Sequence, residues 1–262
     1  MLLRLRVATA VLGIPVMLAA LYYGGLFWAI VLSAIALAGS LESAALFGIT
    51  SRVERALAAG AACLLVAVAY IPVGDDSLLG GFLAVGAALA LILMVWLALG
   101  ADWRPEGPGR VLLAALYPGI FLGALALLRQ AGFEVTFFAL LVTWITDTFA
   151  YATGSWVGRT PLWPSVSPKK TVEGAAGGLV GGVLAGLAMG CLVAKAPVAW
   201  AAVALVTSVA AQLGDLVESR FKRRAGVKDS GRLLPGHGGF LDRFDSLLFA
   251  GTVVYFLHHL LR

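Results

Sequence analysis

A chain of 262 residues that is 61% hydrophobic and only 13% charged has too little polar surface to cover a soluble globule, where about a quarter of residues are charged. The composition excludes a separate soluble domain and predicts an all-α, polytopic membrane helix bundle. The net charge of +5 would suit nucleic acid, but in such a chain Lys and Arg set topology, so no nucleic-acid partner is expected.

The N-terminal stretch MLLRLRVATAVLGIPVMLAALYYGG resembles a signal peptide, with a basic start and an apolar run. That run is long enough to span, has no persuasive small-residue cleavage site and leads into further spans, so it reads as a retained first helix. A span takes roughly 20 apolar residues. Nine are predicted, at about 7–23, 25–47, 56–73, 77–100, 111–129, 133–157, 173–194, 197–217 and 246–261. The chain divides into residues 1–110, with helices one to four, and 111–262, with helices five to nine and a polar loop.

With the N-terminus inside, the inner segments carry Arg4, Arg6, Arg52, Arg55, Arg104, Arg110, Arg159, Lys169 and Lys170. The last inner loop adds Arg220, Lys222, Arg223, Arg224, Lys228, Arg232 and Arg243. Only Arg129, Lys195 and Arg262 fall outside. The positive-inside rule expects this bias, and a miscount by one helix would scramble it. The N-terminus is expected in the cytoplasm and the C-terminus outside.

Carboxylates within spans are costly, so each is a functional candidate. Glu42, late in the second span, reads instead as a residue near a helix end that reaches for the headgroups. Asp147, midway along the sixth span in WITDTFAYATG, has no such escape and reads as functional. Asp215 closes the eighth, with Glu218 and Ser219 at i+3 and i+4 on the same face. Cys63 and Cys191 lie in apolar runs without CxxC spacing and are expected to be buried, reduced and inert. The stretch GAAGGLVGGVLAGLAMG repeats glycine at 174, 178, 182, 186 and 190. Such a small-residue ridge lets helix backbones close in, whereas the Walker and Rossmann glycine patterns are absent. Its partner is either another helix or a second subunit.

The segment ESRFKRRAGVKDSGRLLPGHGGFLDRFDS, residues 218–246, interleaves acids with its cations, which an anionic-lipid patch does not require. Asp215, Asp242 and Asp245 supply the few carboxylates that magnesium takes beside phosphate oxygens and water. Lys and Arg suit phosphates, and a helix N-terminus preceded by glycines adds backbone donors. His237 would orient a phosphate or relay a proton, the bland alternative being a backbone hydrogen-bonder in a tight turn. In SVSPKKTVEG, Lys169 and Lys170 precede the glycine-ridged helix with Thr171 as its cap, a pattern that suits an anion site and a topology signal equally.

From Ser219 to Asp245 the chain resembles the signature of phosphatidate cytidylyltransferases, also called CDP-diacylglycerol synthases. Ser219, Phe221, Lys222, Arg223, Lys228, Asp229, Pro235, His237, Gly238, Gly239, Phe240, Asp242, Arg243, Phe244 and Asp245 stand at that signature's intervals. DTFAYATG, from Asp147, and SPKKTVEG, with Lys170 on the shared lysine, are similar to two upstream motifs of the family. Residues 1–110 match in hydropathy alone.

The resemblance implies an enzyme of the bacterial cytoplasmic membrane whose active site faces the cytoplasm. It would join CTP to phosphatidic acid, giving CDP-diacylglycerol and pyrophosphate. The resemblance further implies that Asp215 and Asp242, with Asp245 beside them, hold magnesium, a monovalent cation such as K+ being an optional second ion. Lys170, Lys222, Arg223, Lys228 and Arg243 would contact phosphates, with Asp229 and His237 in the same catalytic group. Ser219, Gly238 and Gly239 would line the nucleotide site, and Asp147 would shape the polar cavity. Similar enzymes are homodimers. Two rivals stand beside this reading. A transporter would also use intramembrane acids and glycine-rich helices, but the N-terminal half holds no second His-Gly-Gly segment. An enzyme of a related lipid, such as an archaeal-type CDP-lipid synthase or a polyprenol kinase, would be told apart by its products.

Overall fold

The computed structural model describes residues 2–70, 76–100, 106–193, 196–234 and 238–260. Among them nine helices follow one another: α1 (Leu2–Tyr23), α2 (Gly25–Leu46), α3 (Arg52–Val68), α4 (Asp76–Leu99), α5 (Pro108–Ala131), α6 (Phe133–Val157), α7 (Val172–Leu192), α8 (Pro197–Arg224) and α9 (Leu241–Leu260). Each lies on one of the nine predicted spans. On their described residues α2, α5, α6, α7 and α8 are long and apolar enough to cross a membrane, while the described parts of α1 and α4 are shorter apolar helices. The chain is an all-α polytopic membrane bundle.

One element escapes the hydropathy pattern. Between α6 and α7, β1 (Pro161–Trp163) and β2 (Ser167–Thr171) form a short antiparallel hairpin. Lys169 and Lys170 therefore lie on a strand, immediately before a helix that begins at Val172. The Thr171 side chain caps that helix as expected, its Oγ1 accepting the Gly174 N–H at 3.1 Å.

Helix α8 also differs from its predicted bounds. Its 28 residues make a rod of about 42 Å, longer than the roughly 30 Å hydrocarbon core. No breaker interrupts it before Gly226, which takes φ +72°, so the basic run Arg220–Arg224 is helical and not loop.

The core is built around α5. Tyr117, Phe121, Leu125 and Leu128 are fully or almost fully buried, and the Tyr117 ring meets Phe121 and Phe221 edge-on. Helix α5 packs against α2 and α3 on one side and against α9 on the other, so one hydrophobic core runs through both halves of the chain.

The glycine ridge of α7 finds its partner inside the chain, between α6 and α8. A side chain at Gly174 would meet the Ala150 carbonyl, one at Gly182 would overlap Ser208 and Thr146, and one at Gly186 would overlap Ala204. Cys191, expected to be buried, is exposed near the end of α7, because the glycine ridge, and not its own face, is the side of that helix packed on α6 and α8. Cys63 is half-buried and donates its thiol to the Ser33 carbonyl at 3.5 Å.

Candidate active site

The antiparallel course of the last helices brings the end of α6, the hairpin, the end of α8 and the start of α9 to one end of the bundle. Lys170 on β2 sets its Nζ 2.5 Å from Asp215 Oδ2 on α8, and both side chains keep about 30% exposure, at 27% and 31%. Ser219, one turn along α8, donates its hydroxyl to Asp215 Oδ1 at 3.2 Å. Ser246 on α9 donates to Asp147 Oδ1 on α6 at 3.4 Å. Asp147, expected deep in a span without escape, is exposed in the bundle, so the cluster opens at the side of α6. The charges of Asp147 and Asp245 both repel that of Asp215, and Lys170 attracts Asp147.

Local contacts hold Lys170 in place. Glu173, in the first turn of α7, accepts the Arg159 and Thr160 N–H groups at 3.1 Å and the Thr160 hydroxyl at 2.8 Å. Arg223, at the end of α8, donates to the Val166 carbonyl at the hairpin tip at 3.2 Å and to the Val227 carbonyl at 3.3 Å. The hairpin is thus fastened at its base and at its tip, and the strand between presents Lys170 to α8.

A second, buried layer lies behind this open cluster. Lys222 is only 8% exposed, and its ammonium sits 3.1 Å from Glu218 Oε1 and 2.6 Å from Asp242 Oδ1. Glu218 Oε2 accepts the Tyr117 hydroxyl at 3.3 Å. Asp242 Oδ2 accepts the Ser230 N–H at 2.9 Å, the Ser230 hydroxyl at 3.0 Å and the Gly239 N–H at 2.8 Å. The Ser230 hydroxyl also lies 2.9 Å from Glu42 Oε2. Glu42 in turn accepts the Phe240 and Leu241 N–H groups at 3.0 and 2.9 Å.

This layer corrects the expectation for Glu42 and shows what the other expected residues touch. Glu42 does not reach for headgroups. It is 4% exposed and satisfies amides at the start of α9, which a helix leaves without intrahelical partners. Those amides, expected to face a substrate phosphate, are occupied by Glu42 and Asp242. Gly238 and Gly239, expected at a nucleotide, answer a structural need here. Gly238 takes φ +86°, and a side chain at Gly239 would overlap Ser230 and Glu42. Lys222, expected on a phosphate, is neutralised by two buried acids. Asp242, expected on a metal, has both oxygens engaged by donors from the chain.

The remaining expected residues divide by exposure. Lys228, Asp229 and Arg243 are exposed around the same end, while Asp245 is 8% exposed and takes the Ser246 N–H on Oδ1 at 2.7 Å. Pro235 and His237 lie outside the described residues, as do Arg104, Lys195 and Arg262. Tyr117, Ser230 and the capping role of Glu42 were missed. The contacts of Glu42 cross 188 to 199 positions of sequence, and no local spacing encodes them.

The profile of the cytidylyltransferase family matches residues 4–261. The chain belongs to that family. A phosphatidate cytidylyltransferase of Bacillus subtilis is 45% identical over 177 residues, covering 65% of each chain. Proteins of the same name from Staphylococcus saprophyticus and Staphylococcus aureus are 49% and 48% identical over 140 residues, covering 53% of this chain and 54% of theirs. The matched stretch thus spans about two thirds of the Bacillus protein and about half of the staphylococcal ones.

Among the described residues no three His, Cys, Asp or Glu side chains gather closely enough to hold a metal by themselves. The acidic donors Asp147, Asp215, Glu218, Asp242 and Asp245 are nevertheless all oxygen, and the lysines in contact with them are Lys170 and Lys222. Both Asp215 and Asp242 carry a lysine ammonium on one oxygen, the kind of charge a metal ion would supply. This set fits magnesium, which takes one or two carboxylates and completes its octahedron with phosphate oxygens and water.

Proposed function

We propose that the chain transfers a cytidylyl group from CTP to phosphatidic acid, leaving CDP-diacylglycerol and pyrophosphate. The observation that carries this reading is the open Lys170–Asp215 pair beside Asp147, at one end of a membrane bundle whose family and named relatives handle cytidylyl transfer. An enzyme of a bilayer lipid and a water-soluble nucleotide needs its chemistry where those two phases meet. The basic segments at that end support a cytoplasmic orientation, in keeping with a bacterial cytoplasmic membrane.

An oxygen of the lipid phosphate attacks the α-phosphorus of CTP, and the bond to the bridging oxygen breaks. That oxygen leaves with its electron pair as part of pyrophosphate. The attacking phosphate is already anionic, so no strong general base is needed, and catalysis is alignment and charge neutralisation. Lys170 is set to bind a phosphate oxygen when its ammonium leaves Asp215. Arg223, Lys228 and Arg243, exposed around the same end, add cations along the phosphate path, and Ser219 orients Asp215. Magnesium, when bound, would neutralise the leaving pyrophosphate. Asp215 would be its accessible carboxylate, with Asp242 and Asp245 as the further acids of the proposed set. The active unit is proposed to be a homodimer, formed through a face other than the glycine ridge.

Pyrophosphate release from CTP by purified protein in detergent tests the reading. Release that requires phosphatidic acid, stops with chelator and returns with added magnesium is expected. Release without the lipid, or undiminished by chelation, would contradict it.

A further inference from the structure

Glu42 stands apart from every residue that the signature motifs single out. It comes from α2, in the half of the chain that carries none of those motifs, yet it touches the segment that opens α9. Its carboxylate is 4% exposed and takes two amide donors, the Phe240 N–H and the Leu241 N–H, with the Ser230 hydroxyl 2.9 Å from Oε2. Space around it is kept by glycine, because a side chain at Gly231 or at Gly239 would overlap its carboxylate. A buried carboxylate is costly unless its oxygens are hydrogen-bonded, and here they are.

Ser230 links Glu42 to Asp242. Its hydroxyl lies 2.9 Å from Glu42 Oε2 and 3.0 Å from Asp242 Oδ2, and a hydroxyl has one hydrogen to give. It therefore serves one carboxylate at a time. When Asp242 turns to another partner, the hydrogen can pass to Glu42, and Ser230 stays anchored. Asp242 meanwhile keeps the Ser230 and Gly239 N–H groups. The first turn of α9 and the segment around Ser230 are thereby held as one piece by a side chain from α2.

We propose that Glu42 is a positioning residue for the reaction. From the N-terminal half it fixes the first turn of α9 and, through Ser230, the Asp242 carboxylate. It touches neither substrate and acts through these groups alone. The inference rests on the cytidylyl-transfer reading for its kinetic consequence, but not for its structural one.

Glu42→Gln keeps the size of the side chain while removing its charge and one acceptor oxygen. Two readouts on the full-length protein in detergent separate positioning from general stability. The first is hydrogen exchange in the metal-free, substrate-free protein. The Gly239, Phe240 and Leu241 amides are expected to exchange at least ~10-fold faster in the variant, about the effect of one lost charge-assisted hydrogen bond, with α6 and α7 as protected as before. The second is kinetics. The variant should lose at least ~10-fold in kcat with KM for both substrates within about threefold, because misplaced catalytic groups cost the transition state more than the ground state. Ser230→Ala should produce a smaller loss of the same kind. Unchanged exchange at these amides, unchanged kcat, or a uniform loss of protection through all helices would each overturn the proposal. If even the unsubstituted protein transferred no cytidylyl group, the transfer reading would fail, and the exchange pattern alone would still decide whether Glu42 positions α9.

Discussion

Lys170 and Lys222 are both lysines on aspartates, and their surroundings divide their roles. Lys222 is enclosed between Glu218 and Asp242, and removing one partner of a buried ion pair strands the other charge. Lys170 meets Asp215 where both stay accessible, so it can exchange its carboxylate for a phosphate. Lys170→Ala should therefore leave folding intact while lowering kcat/KM by roughly 10- to 100-fold, the span of one or two lost charge-assisted hydrogen bonds. Lys170→Arg should retain part of the rate. Steady-state kinetics on protein with an unaltered unfolding midpoint is the check, and an unchanged kcat/KM would return this lysine to a topology role. The sequence made Lys170 visible because a motif surrounds it. It could not distinguish Lys222, whose burial depends on α8 continuing to Arg224 and on an aspartate 20 residues away.

At the scale of elements, apolar runs and charge bias made all nine helices legible, since each must satisfy its backbone within itself to lie in lipid. The hairpin was not legible, because the five residues of SPKKT carry no alternating pattern, and the contacts that fasten it, Glu173 to Thr160 and Arg223 to Val166, fall outside its strands. The glycine ridge was legible as a packing surface, but its partner was not, since spacing states only that something comes close. Helices α6 and α8 fill that place, and the Thr146 hydroxyl donates to Ser208 at 2.8 Å beneath Gly182. Gly182→Val would force side-chain atoms into that hydrogen bond. An overpacking cost of about 1–3 kcal/mol should lower the thermal midpoint by several degrees, whereas Val180→Leu, at a position 59% exposed, should leave it in place. Equal midpoints for the two variants would mean that the ridge is not packed as described.

Across the whole molecule, the two halves of the chain share one core, and the polar end draws on both. Glu42 and Tyr117 come from α2 and α5, Asp147 and Lys170 from α6 and the hairpin, and the other acids from α8 and α9. The signature motifs lie in the second half, so the sequence located the reactive end but not Glu42 of the first half or Tyr117 of α5, which brace it. The central claim is that the open cluster at this end moves the cytidylyl group of CTP onto a lipid phosphate. Supplying CTP labelled at its α-phosphate, with phosphatidic acid and magnesium, to the purified protein and to folded Asp215→Asn tests it directly. The account predicts label in a lipid product with the unsubstituted protein and a loss of roughly 100-fold or more in the variant, on the scale of one missing charge-stabilising group. Label that never reaches the lipid, or reaches it equally in both proteins, would contradict it.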